Sequence, residues 1–130
     1  MNAIEEMITI ALDKISKNFI EKKVFNNKGE IPREYKSYIS AFGAASMQSG
    51  IMVALAFYHS EGEAGKKRKI VMDVVYEVLQ EKYPEYKVGN HENLFKYVKA
   101  KSNEIDKISK QLMNAAIAVK LALRTFKFDK

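Results

Sequence analysis

The chain has 130 residues, 47% of them hydrophobic, and a formal charge of +6. That length and composition suit one globular domain with a sizeable core. The absence of cysteine excludes disulfides, thiolate zinc sites and cysteine nucleophiles. The opening Met1 to Glu6 is acidic, unlike a signal peptide. The longest apolar run, Gly50 to Tyr58, falls far short of the roughly 20 residues of a membrane span. The expectation is a soluble, cytoplasmic protein with no membrane contact.

Helical periodicity runs through the chain. Ile4, Met7, Ile8, Ala11, Leu12, Ile15, Phe19 and Ile20 repeat at i, i+3 and i+4 and predict a first amphipathic helix. The polar stretch Phe25 to Glu30 ends it. Pro32 suits the first turn of a second helix, because its missing N–H is not needed there. Tyr35, Tyr38, Ile39 and Phe42 form that helix's apolar face, and Gly43 is expected to bend or end it. A third helix is expected from Ala45 or Ser46 to Ser60, with Gly50 inside it. A glycine there costs about 1 kcal/mol against alanine. The reading that accounts for it is a small-residue face, with Ala45, Ser46 and Ala54, that admits a crossing helix.

Glu61 to Gly65 breaks the pattern. The fourth helix, about Lys66 to Tyr83, stops before Pro84, which disfavours helical geometry in the residue before it. Its apolar residues cover more than one stripe, so it is expected to be the most buried helix. A loop from Pro84 to about Asn90 follows. Leu94, Phe95 and Val98 mark a short fifth helix, and Ile105, Ile108, Leu112, Ala115, Ala116, Val119, Leu123 and Phe126 a long sixth. No strand alternation, repeat or linker is visible. The predicted fold is all-α, a compact single-domain bundle of about six helices spanning residues 1–130.

The sequence offers no catalytic constellation. Two histidines, His59 and His91, are present, and a zinc site wants three or four ligands at workable spacing. His59 with Glu61 and Glu63 is read instead as a histidine near a helix C-terminus followed by a polar turn. The stretch Gly62 to Lys69 has the wrong spacing for a phosphate loop, and no G-x-S-x-G elbow occurs. No cofactor is expected.

Charge is more informative. Residues 1–60 are nearly neutral and 61–90 balanced, so the excess lies in the tail from His91. Lys66, Lys67, Arg68 and Lys69 sit at a helix start, where the macrodipole disfavours positive charge. Arg33 and Lys36 share a face of the second helix with Ser40, and Lys120 and Arg124 share one of the last. Such short stripes suit a phosphate backbone, which needs charge and register but no base contacts. They also suit a plain solvated surface, and the sequence leaves both readings open.

One segment carries a resemblance. Arg33 to Ser60, with Arg33, Tyr35, Ser37, Gly50, Ile51, Leu55, Ala56 and Phe57 in register, resembles the signature region of the fifth Cmr subunit. That is the small all-helical subunit of the type III-B CRISPR RAMP-module RNA-targeting complex. The Ala-rich stretch Ala115 to Phe126 is similar to the family's closing helix. Departures are Gly43 with Ala44 at a bend where the family usually has proline, Ile51 where leucine is usual, and Phe126 in place of a tryptophan. The resemblance implies a non-enzymatic subunit that stacks with copies of itself into a filament and contacts other Cmr subunits. It also implies contact with guide RNA and target RNA through the assembled complex, in antiviral defence. A stand-alone basic helical nucleic-acid-binding regulator is the alternative. It would need a recognition helix, and no helix-turn-helix signature is evident.

Overall fold

A computed structural model describes residues 1–130. It is all-α: α1 (Ala3–Glu21), α2 (Glu34–Ser49), α3 (Ile51–Tyr58), α4 (Glu63–Lys82), α5 (Leu94–Ala100) and α6 (Ile105–Leu123). Short 3₁₀ turns at Pro84–Lys87 and Ser102–Glu104 join the later helices. No helix is long and apolar enough to cross a membrane.

Local chemistry sets the boundaries. The Asn2 side chain accepts the Glu5 N–H at 2.9 Å, and Glu5 and Glu6 occupy the positive end of the α1 dipole. Asn93 does the same for α5 by accepting the Lys96 N–H at 2.9 Å. Met7, Ala11, Ile15 and Phe19 of α1 are buried at helical spacing. They pack against α6, whose Ala115, Ala116, Ala118 and Ala122 are all buried and let neighbouring helices come close. Helix α4 buries residues on several sides, among them Val71, Met72, Val74, Val75, Val78 and Leu79, as its broad apolar surface predicts.

Contacts at the helix ends fix the directions. Lys82 near the end of α4 pairs with Glu6 near the start of α1. Phe19 near the end of α1 lies 5.3 Å from Tyr35 at the start of α2. Lys67 at the start of α4 donates to Glu34 at the start of α2 at 2.9 Å. Lys107 near the start of α6 reaches Glu85, just past the end of α4, at 3.5 Å. Helices α1 and α6 therefore run one way, and α2 and α4 the other. The chain's end returns to this same pole. Ile31 donates to Lys127 O and accepts from the Asp129 N–H, both at 2.9 Å, in an isolated parallel bridge.

Two glycines exchange the roles expected of them. Gly43 lies inside α2 and does not bend or end it. The break falls at Gly50, which closes α2 and opens α3 with φ 87° and ψ 158°. A side chain with a Cβ is essentially excluded from that region. No close approach explains Gly50, since a Cβ there would meet nothing within 4 Å. The tight approach is at Gly65, in the first turn of α4, where a Cβ would collide with the Ser60 carbonyl oxygen. Glu63 and Ala64 also belong to α4, so that helix starts three residues earlier than Lys66.

Candidate nucleic-acid interface

The pole where α2 and α4 begin and α1 and α6 end collects the basic residues singled out in the sequence. Arg33 and Lys36 enter with the start of α2, Lys66 to Lys69 with the start of α4, and Lys120 and Arg124 with the end of α6. These stretches are far apart in sequence. The antiparallel arrangement and the returning tail bring them to one end of the bundle.

They do not form one continuous patch, because the α4 group points in several directions. Lys66 pairs with Glu63 at 3.7 Å, Lys69 with Glu61 at 3.5 Å, and Lys67 with Glu34 at 2.9 Å. The hydrogen bond that Lys67 donates to Glu34 raises the Lys67 pKa. The Arg68 guanidinium lies 4.4 Å from the Phe57 ring centroid and 5.8 Å from that of Tyr58, so it ties α4 to α3. Its Nε is buried without a partner. The positive charge at the start of α4 is thus largely matched inside the chain by Glu34, Glu61, Glu63 and the aromatic face. It does not by itself require an outside partner.

The other four cations differ. Arg33, Lys36, Lys120 and Arg124 have no carboxylate within ion-pair distance of their side chains. Arg33, Lys36 and Arg124 are exposed. Lys120 lines a groove between α2 and α6 together with Ser40. Lys36 sits one turn before Ser40, and Arg124 one turn after Lys120. The tail adds groups that the sequence reading missed. Asp129 Oδ1 accepts the Arg33 N–H at 2.8 Å, capping a helix start whose own N-cap side chain makes no such bond. Lys36 Nζ lies 6.0 Å from the Phe128 ring centroid. Lys127 reaches Glu30 at 3.6 Å. The only sequence signal for this docking was the aromatic pair Phe126 and Phe128, and periodicity had placed Phe126 on the last helix.

Elsewhere the polar groups are structural or scattered. His59 Nδ1 lies 2.7 Å from Leu55 O, one turn back in α3, as expected of a histidine at a helix end. Burial lowers its pKa, outweighing that backbone bond. Asp73, on α4, has its carboxyl pushed up to about 6, mainly by burial and then by Glu77. No three His, Cys, Asp or Glu side chains are placed to hold a metal ion together.

The fold and site define a class: a small all-helical protein with unpaired cations at the start of α2 and the end of α6. The profile of the CRISPR-associated protein (Cas_Cmr5) family matches residues 6–123, and the chain belongs to that family. It is therefore a CRISPR-associated Cmr subunit, the component of a complex with other subunits. No curated protein and no solved structure shows significant similarity to the chain.

Proposed function

We propose that this chain is a non-catalytic, cytoplasmic small subunit of a type III-B effector complex in antiviral defence. Copies stack head to tail into a minor filament, and the cationic pole supports guide RNA–target RNA binding without reading sequence. The observation that carries the RNA part is the pole itself. Arg33 and Lys36 at the start of α2, and Lys120 and Arg124 at the end of α6, have no carboxylate within ion-pair distance of their side chains. Unmatched cations at fixed register suit a phosphate backbone, whose binding is electrostatic and sequence-independent. Specificity then rests on base pairing, as in guided DNA recognition. Head-to-tail contacts are heterologous and propagate rather than close. The paired residues Lys66, Lys67 and Lys69, and Arg68 with its aromatic partners, are secondary candidates for RNA contact.

The test is charge reversal in the assembled complex. Arg33→Glu with Lys36→Glu, and Lys120→Glu with Arg124→Glu, are each expected to weaken target RNA binding. Each pair should also flatten the log–log salt dependence by about one to two units. Unchanged affinity and salt slope in the combined variant, with the complex intact, would remove the RNA part of the proposal.

A further inference from the structure

A groove opens beside the pole and shares only Lys120 with the RNA candidates. Helices α2 and α6 lie side by side there, running in opposite directions. The hollow between them is about 240 Å³ and is lined by Ile39, Ser40, Gly43, Ala44, Met47, Met113, Ala116, Ile117 and Lys120. Six of these nine residues are hydrophobic and none is acidic. Met47 is 85% exposed and Ile117 41%. Both are large apolar side chains open to solvent along the groove.

Three features describe the occupant. The first is shape. Lys36, Ser40, Gly43 and Met47 recur at i, i+4, i+7 and i+11 along α2. Met113, Ile117, Lys120 and Arg124 recur at i, i+4, i+7 and i+11 along α6. The residues lining the hollow span Ile39–Met47 and Met113–Lys120, about two turns or roughly 12 Å of each helix, along which a third helix can lie. The second is Gly43. A glycine in a helix interior costs about 1 kcal/mol against alanine, and a Cβ there would meet only Met113 Cε at 4.0 Å. Nothing inside the chain requires the missing side chain, but its absence deepens the groove where a partner would approach. The third is charge. Lys120 lines the groove, and Lys110 lies one turn before Met113 on the same face of α6. Neither has a carboxylate partner within the chain.

We infer that the α2–α6 groove docks an amphipathic helix of another protein subunit, whose apolar stripe is flanked by Asp or Glu residues that meet Lys110 and Lys120. This is the helix-in-groove mode of recognition, with anchors at i, i+3 or i+4 and i+7. It goes beyond the RNA reading but shares Lys120 with it, so Gly43→Leu and Lys110→Glu, which touch no RNA candidate, are the variants that separate the two. On α1 and α3 of this chain, Asp13, Glu61 and Glu63 are paired with Lys17, Lys69 and Lys66, whereas the exposed Glu5 and Glu21 of α1 are not, so a second copy of this chain is the competing occupant that the test separates.

The test places a photoreactive residue in the groove of the assembled complex, as Met47→p-benzoylphenylalanine in the full chain. The complex is purified from its host, irradiated and digested, and the cross-linked peptides are sequenced. The expected product is a peptide of another subunit with helical apolar spacing and flanking acidic residues. Gly43→Leu, which fills the groove on a helix face with space for it, should reduce that product about tenfold while leaving circular dichroism and bound RNA unchanged. Lys110→Glu should reduce it about threefold, the loss of one charge contact, with bound RNA again unchanged. Cross-links only to RNA, only to a second copy of this chain, or to a peptide without acidic flanks would overturn the inference. So would the absence of any cross-link, or a yield unaffected by Gly43→Leu.

Discussion

Gly50→Ala isolates the physical reason for the break between α2 and α3. At φ 87° and ψ 158° the residue sits where non-glycine residues are strained by about 1–3 kcal/mol. Alanine also restricts the unfolded chain, returning about 0.4–1 kcal/mol. No clash adds to the cost, because the new methyl group would meet nothing within 4 Å. The net expectation is a loss of about 1–2 kcal/mol, read from urea unfolding at neutral pH with an unchanged m-value. Gly43→Ala is the internal control. It lies in a helix interior with room for a methyl group, so it should stabilise the isolated chain by about 0.5–1 kcal/mol. D-Alanine at position 50, introduced by chemical ligation, should restore stability because it fits positive φ. A neutral Gly50→Ala, a Gly43→Ala that costs more than Gly50→Ala, or a D-alanine variant no better than the L form would refute the conformational reasoning.

Asp73 has its carboxyl pushed up to about 6 by burial and then by Glu77. A folded value above the unfolded 3.8 means the native state holds the proton more tightly. The resulting stability is present below about pH 4 and is lost as pH rises through 6. Asp73→Asn should therefore stabilise the chain at pH 7.5 by about 1–2 kcal/mol, after allowing for partial solvent screening, and make little difference at pH 4. Thermal melts of both proteins at the two pH values check it, and an equal difference at both would contradict it. Arg68→Ala should cost about 1–2 kcal/mol by urea unfolding, through lost contact with Phe57 and Tyr58. Lys66→Ala, removing an exposed pair, should stay within about 0.5 kcal/mol in the same assay. Asp129→Ala should cost about 1 kcal/mol and speed amide exchange at Arg33, whose N–H it caps.

The helices with strong single-stripe periodicity were legible in the sequence. Helix α1 falls where its apolar spacing puts it, α6 does so up to Leu123 but stops short of Phe126, and α5 appears where Leu94 and Val98 mark it. The glycines were not, because a glycine in an apolar run signals an interruption without saying which one needs positive φ. Gly43 and Gly50 were assigned each other's part for that reason. The start of α4 shows a second limit. Lys66 to Lys69 look like an uncompensated run until Glu34, distant in sequence, arrives through the packing of α2 against α4. The cations of the pole could be named one by one from their helical spacing. Their gathering at one end depends on helix direction and on a tail that bonds back to Ile31, neither of which periodicity encodes.

The measurement that reaches the central claim most directly is recovery of the tagged protein from its native host, with its proteins identified by mass spectrometry and its RNA sequenced. The account predicts larger Cmr subunits together with repeat-derived guide RNAs, and loss of that RNA when Arg33, Lys36, Lys120 and Arg124 are reversed in charge. A protein recovered alone, or with unrelated DNA, would contradict it and leave a stand-alone regulator as the better account.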